Sequence, residues 1–179
     1  MKKFVISIVL ALIFLWFIKP FNIVILGSDA RPWQPLKGSR SDTIILINVN
    51  PILAKIKIVS IPRDSYTLID CEKGGKVDKI THALAFGGPS CSVRALENML
   101  NTKIQYSVLL RFEDLINLTT IVDGVDIVSN HTFTQDNESF VKGTAYTVQG
   151  PRALAYARHR KTDSDFKRGD RQKQVLGAL

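Results

Sequence analysis

Apolar residues in this chain come in short, dense runs set off by polar punctuation. Phe21 to Gly27, Thr43 to Val49, Lys55 to Ile61, Ile104 to Leu110 and Val125 to Ser129 read as strands, the first two too apolar to be anything but core. Ser92 to Leu100, Phe112 to Val122, Gly150 to Ala157 and Asp165 to Leu179 carry helical spacing. Strands alternating with helices predict an α/β domain with helices packed on a central sheet. Pro51 and Asp123-Gly124 punctuate the connections, and Gly87-Gly88-Pro89 predicts a turn before a helix that Ser92 would cap.

Ahead of the first strand, Lys2-Lys3, the uncharged run Phe4 to Ile18 and then Lys19-Pro20 follow the pattern of an export signal or membrane anchor. As a helix the run is about 22 Å long, between a signal core and a full span of roughly 30 Å. No small-residue cleavage site follows, and the aromatic residues of Leu15-Trp16-Phe17-Ile18 suit a lipid interface, so residues 1–19 are expected to be a signal-anchor or transmembrane segment. The positive-inside rule then puts residues 20–179 on the extracytoplasmic side of the cell membrane, attached by a single pass.

Those residues are enough for one domain with a single core. Cys71 and Cys91 are the only cysteines, and an exported domain would join them; zinc binding with His82 lacks a close cysteine pair and a fourth ligand. Of the net charge of +8, Lys2, Lys3 and Lys19 contribute three. The stretch Arg152 to Lys173 holds eight Lys or Arg and three Asp, leaving the rest of the domain neutral. A nucleic-acid binder usually spreads its cations over a broad face to track phosphates, so an excess this concentrated argues against one.

Chemistry-bearing residues fall at the ends of the predicted elements. Asp29 and Asp42 stand at the edges of two core strands, with Arg31 and Arg40 beside them, and strand ends form the rim where ligands bind. Two carboxylates and arginines at one end of a sheet suit a metal ion with a phosphate. Arg63 is placed on the same rim. Asp165, Arg168 and Gln172, at i, i+3 and i+7, share a helix face. Arg158 and Arg160 are two apart, so they can serve one ligand only if the preceding helix ends by about Ala157.

The ordered set Gly27-Ser28-Asp29-Ala30-Arg31, Arg40-Ser41-Asp42-Thr43, Ser60-Ile61-Pro62-Arg63-Asp64, Lys79-Ile80, Gly87-Gly88, Ala157-Arg158-His159-Arg160 and Asp163 to Gln172 resembles the LytR-CpsA-Psr family over essentially all of the chain after residue 20. The resemblance implies a three-layer αβα sandwich with a central mixed sheet, preceded by the N-terminal anchor helix. It also implies a membrane-attached phosphotransferase that moves a cell-wall glycopolymer from a polyprenyl diphosphate carrier onto peptidoglycan, forming a phosphodiester. Two departures stand out. Thr81 replaces the Asn that relatives more often have after Lys-Ile, and the chain stops at Leu179 inside a predicted helix where relatives often continue. It reads either as a minimal member or as one lacking part of the acceptor surface.

Physical reasoning assigns roles within that frame. Arginine's planar fork holds phosphate bidentately and stays ionised, so Arg63, Arg158, Arg160 and Arg168 form the expected diphosphate clamp, with Lys79 as a point charge and Gln172 as a further contact. Asp29 and Asp42 would hold Mg²⁺ or Mn²⁺ against the diphosphate, and they are also the candidates for general base. Asp165 would orient the arginines or touch the ion's water shell; Arg31 and Arg40 would support the aspartates or touch phosphate. Asp64 reads as structural, Arg171 and Lys173 as solvent-facing, and His82, His131 and His159 have no catalytic arrangement around them. Ala83 to Phe86 with Val93, Leu96, Met99, Leu100, Leu115, Ile116 and Leu118 would line a tunnel for the lipid tail or form plain core. A diphosphatase using the same clamp, and a non-enzymatic lipid-diphosphate binding module, are the alternatives.

Overall fold

The computed structural model describes residues 19–28, 30, 34–35, 38–71, 75–159 and 165–179, with Asp165 and Phe166 described by backbone alone. Strand β1 (Phe21–Ser28) lies inside a four-stranded sheet of order β3-β2-β1-β6, formed with β2 (Ser41–Asn50), β3 (Lys55–Ser60) and β6 (Tyr106–Arg111). β1 runs antiparallel to β2 and parallel to β6, and β2 runs antiparallel to β3, so the sheet is mixed. The pleat sends alternate residues to opposite faces. Val24 and Leu26, with Ile44 of β2, face a core closed by Ala83, Leu84, Ala95 and Leu96 of helix α1 (His82–Leu100).

On the other face, Ile25, Gly27, Thr43 and Leu110 look toward α2 (Phe112–Ile121), α3 (Gly150–Arg158) and α4 (Asp165–Gly177). A second core of Val125, Ile127, Phe133, Phe140, Val148, Ala153, Tyr156 and Val175 joins these helices to three short strands, β7 (Val125–Val128), β8 (Phe133–Gln135) and β9 (Glu138–Phe140), and to β10 (Ala145–Val148). Helices thus cover both faces of a mixed sheet.

The short pairs are β4 (Tyr66–Ile69) with β5 (Lys76–Lys79), β7 with β10, and β8 with β9. Of these strands only β7 falls within a run predicted as strand. Asp136 and Asn137 take φ 53° and 66°, the backbone that a two-residue hairpin turn requires, between Phe133 and Phe140, which both point inward.

The predicted turn at Gly87-Gly88 is an interruption inside α1: Gly87 has φ −146° and ψ 21°, and Gly88 has φ 70° and ψ −162°. Helix continues on both sides, so it begins at His82 and Ser92 is not its cap; the Ser92 hydroxyl donates to the Gly88 carbonyl at 3.4 Å. The interruption brings Cys91 against Cys71, and the two form a disulfide with Cα atoms 5.4 Å apart. A side chain on Gly87 would place Cβ 2.8 Å from the Cys91 Cβ, so glycine is what lets the bridge lie there. The bridge closes a 20-residue separation and constrains the unfolded chain by about 3 kcal/mol. Denaturant titration with and without reductant should show a loss of about that size.

Among the described residues no helix is long and apolar enough to cross a membrane. Residues 1–18, on which the anchor expectation falls, lie outside the described residues.

Candidate functional site

The end of β1, the start of β2, the turn after β3 and the end of β6 meet at one end of the sheet. Ser28 pairs with Ser41 across β1–β2 and with Arg111 across β1–β6, while the Ile61 amide donates to the Ile44 carbonyl at 2.8 Å. Thr81 fastens this end. Its amide donates to the Arg63 carbonyl at 3.1 Å and its hydroxyl to the Ser41 carbonyl at 3.0 Å. The backbones of Arg63 and of Ser41, next to Asp42, are therefore both tied to one buried threonine.

The two side chains join: Arg63 Nη1 lies 2.7 Å from Asp42 Oδ1. Arg63 Nε is 3.6 Å from Asp64 Oδ2, and Lys79 Nζ is 2.7 Å from Asp64 Oδ1, so charges alternate along the chain of contacts. The Lys79 ammonium, with Arg63 behind it, holds the Asp64 carboxyl below its ordinary value, and the same contact raises Lys79. A depressed carboxyl pKa contributes stability above the unfolded-state pKa and loses it as pH falls through the folded value. Lys79→Met should move Asp64 back toward its ordinary value, measured by carboxyl carbon NMR across an acid titration.

Helix α4 supplies the opposing wall. A Cβ on Gly169 would sit 3.0 Å from the Ser60 hydroxyl, so glycine allows the helix to approach β3. One residue earlier stands Arg168, expected in the diphosphate clamp. It is only 8% exposed, and its Nη2 donates to the Asp42 carbonyl at 3.4 Å. A guanidinium thus reaches Asp42 from each side, one at its carboxylate and one at its backbone.

Two clefts meet here. A polar groove is lined by Asp42, Arg63, Asp64, Arg168, Asp170, Gln172 and Lys173. An apolar cleft, about 620 Å³ including its open mouth, is lined by Ile25, Leu110, Phe112, Leu115, Leu154, Val175 and Leu176, with Arg111 and Arg158 among its polar lining. Asp42, Thr43 and Gln172 belong to both.

The structure thus gathers Asp42, Arg63, Arg168 and Gln172. Arg158 lines the apolar cleft and not the groove, its Nε 3.6 Å from Asp136 Oδ2 and its guanidinium 6.0 Å from the Phe112 ring centre. Helix α3 ends at Arg158, one residue beyond the expected Ala157, and His159 is extended. Lys79 acts through Asp64, so Asp64 is part of the charge chain beside Arg63. Arg40 is exposed and lines neither cleft. Asp29, Arg31 and Arg160 lie outside the described residues, as does the Asp165 side chain.

Several expectations are corrected. Arg171, expected in solvent, is fully buried: Nε donates to the Tyr156 carbonyl at 3.1 Å, Nη2 to the His159 carbonyl at 2.7 Å, and the guanidinium lies 5.0 Å from the Phe133 ring centre. Lys173 is half-buried, pairs with Asp170 at 2.7 Å and lines the groove. Of the proposed tunnel residues only Leu115 lines the apolar cleft; Ala83, Leu84 and Leu96 are core on the opposite sheet face, with Phe86, Val93 and Met99 packed against them. Arg111 escaped sequence reasoning. It ends β6 and starts α2, where its amide donates to Asp114 Oδ2 at 2.7 Å, and an arginine at a strand-to-helix junction was the available signal.

Among the described residues no three His, Cys, Asp or Glu side chains gather as a metal site. Among the described residues Asp42 is the one carboxylate shared by groove and cleft, and its partner in the expected metal pair, Asp29, lies outside them.

The chain is thus a mixed α/β domain in which a groove carrying guanidinium groups adjoins an apolar cleft. The LytR_cpsA_psr family model matches residues 18–179, and the chain belongs to that family. It is 44% identical over 160 residues to the Bacillus anthracis polyisoprenyl-teichoic acid–peptidoglycan teichoic acid transferase TagU, covering 88% of this chain and 51% of that protein. To the Bacillus subtilis (strain 168) protein of the same name it is 42% identical over 162 residues, covering 89% and 51%. The chain spans about half the length of the curated relatives it matches. The crystal structure of B. subtilis TagU superposes with a TM-score of 0.73 at 39% identity, covering 89% of this chain and 64% of that one. The LytR-CPS2A-psr family protein YwtF (TagT) with bound octaprenyl pyrophosphate lipid gives 0.70 at 30% identity, covering 89% and 62%.

Proposed function

We propose that this chain is a phosphotransferase that moves a glycopolymer phosphate from a polyprenyl diphosphate carrier to a peptidoglycan hydroxyl. The observation that carries the reading is the seam at Asp42, Thr43 and Gln172, where a cationic groove and an apolar cleft share a wall. A ligand with a doubly charged head and a hydrocarbon tail matches that pair of surfaces. The relatives named for teichoic acid transfer and the relative holding octaprenyl pyrophosphate support the same ligand class.

Phosphoryl transfer depends mainly on positioning and on neutralising the non-bridging oxygens. Arg63 and Arg168 supply fixed cations at the groove, and Arg158 adds one at the cleft. In the reaction the acceptor oxygen bonds to the phosphorus that bears the glycan. The bond from that phosphorus to the carrier's bridging oxygen breaks, and the lipid leaves as its monophosphate. The acceptor's proton passes to a carboxylate, for which Asp42 and Asp29 are the candidates.

A hard cation suits this reading: magnesium is commonly held by one or two carboxylates together with substrate phosphate, and Asp42 with Asp29 would be the residues that hold it. Bound there, Mg²⁺ or Mn²⁺ would withdraw charge from the phosphoryl oxygens. Asp42 is already engaged by Arg63, so cation and guanidinium would share one carboxylate. Asp42→Asn should therefore lower divalent-dependent turnover about a hundredfold while binding of a short-chain prenyl diphosphate falls less, because the arginines remain. Turnover unchanged by chelator would remove the cation from the reaction.

The membrane-attached, extracytoplasmic setting belongs to the same proposal and rests on Lys2 to Lys19. Incubating the protein with a lipid-diphosphate-linked glycan and peptidoglycan fragments tests the reaction. A glycan–peptidoglycan phosphodiester in the mass spectrum is the expected product. Free glycan phosphate alone would make it a diphosphatase, and tight binding without any product a carrier-binding module.

A further inference from the structure

The turn between β2 and β3 is an unusual surface. Turns ordinarily carry Gly, Asn, Asp or Ser, whose backbones and side chains suit a wet bend. Here the turn Pro51 to Ala54 presents Ile52 and Leu53, 67% and 59% exposed, followed by Ile56 at 66%. The charge around them has one sign. Lys19, Lys55 and Lys57 are exposed, and no Asp or Glu occurs between Thr43 and Pro62. An apolar tip collared by lysines is poorly solvated in water. At an anionic lipid surface its aliphatic side chains leave water and its ammonium groups meet headgroup phosphates.

The register places this tip. Phe21 pairs with Val49 and Val49 with Ile56. At about 3.3 Å per strand residue, the tip is within roughly 10 Å of where β1 begins. Immediately before that point the sequence is Lys19-Pro20 and the uncharged run Phe4 to Ile18. The Asp42–Arg63 seam lies at the other end of β1. Two copies meeting tip to tip would instead bring like charges together, which Coulomb repulsion opposes.

We propose that the Ile52-Leu53 tip is a membrane-contact element for an anionic bilayer, and that it seats the domain end-on with the seam about 35 Å from the tip, roughly 10 Å to the start of β1 and about 25 Å along its eight residues. This rests on the membrane attachment proposed above and adds a second, orienting contact to it.

The test uses the whole chain with Leu53→Cys carrying an environment-sensitive fluorophore; Cys71 and Cys91 are bridged, so the new thiol alone reacts. With vesicles of phosphatidylcholine and phosphatidylglycerol, the label should shift to the blue and brighten several-fold, and a lipid-borne nitroxide should quench it. A label at Lys167→Cys, on the exposed side of α4, should do neither. Ile52→Cys provides a second label position. Lys55→Glu with Lys57→Glu should remove most of the change at position 53 while the protein still floats with the vesicles. If the protein floats but aqueous iodide quenches position 53 as well as position 167, the tip is not a membrane contact and attachment alone stands. If the protein does not float, both readings fall. If the change appears without vesicles as protein concentration rises, a second copy covers the tip and the inference is overturned.

Discussion

Arg63→Ala should lower glycopolymer transfer by two to three orders of magnitude while leaving the domain folded. Removing one preorganised charge that faces a reacting phosphoryl group typically has an effect of about that size. The fold should survive because Arg63 lies in a turn after β3, a quarter exposed by its side chain, and its backbone stays tied through the Thr81 amide. Truncation leaves Asp42 and Asp64 without that guanidinium, but both remain partly in water and Asp64 keeps Lys79. Transfer rates beside a thermal melt check both halves. Full activity in the variant would remove Arg63 from the clamp. Adding a short-chain prenyl diphosphate should raise the melting temperature of the unaltered protein by mass action, and less in the variant.

Arg171→Met should cost about 2–5 kcal/mol of stability, since each of two buried carbonyls left without its donor costs about 1–3 kcal/mol. Methionine keeps much of the stem's bulk beside Phe133, so the loss reports mainly the polar contacts. Two buried main-chain carbonyls, those of Tyr156 and His159, would lose their charged donor at the end of α3. A cation at a helix C-terminus also favours the helix dipole, and that contribution goes with it. Urea titration followed by circular dichroism measures the change. A loss under 1 kcal/mol would mean that the carbonyls find other donors.

The elements legible in the sequence were those with dense apolar runs. β1 and β2 show as runs because side chains on both faces of the central strands are withdrawn from water, whereas β3, β6 and β7 show through β-branched and other apolar residues, several of which stay exposed. β4, β5, β8, β9 and β10 are three or four residues long, each with polar or charged residues among its positions, too short for a period to declare itself. Asp42, Arg63, Arg168 and Gln172 were legible as charged or amide groups at the ends of strands and on one helix face. Thr81 was not, because its role consists of hydrogen bonds to backbone atoms 18 and 40 residues away, which no side-chain pattern encodes. Arg171 was misread because a charge run looks alike whether it faces water or the end of a neighbouring helix; only the packing of α4 against α3 separates the two.

The threonine clasp at the sheet end also determines when ordering takes place. With Ser41 and Arg63 secured to the same residue, the distance between the Asp42 and Arg63 backbones is set as the chain folds, before any ligand arrives. Binding then has fewer degrees of freedom left to freeze, and each one spared adds to affinity. Recognition of the proposed ligand at this end of the molecule would consequently be coupled to local unfolding. A change at residue 81 that touches no ligand would loosen the clasp and register as weaker binding, with the loss appearing in the entropy of association.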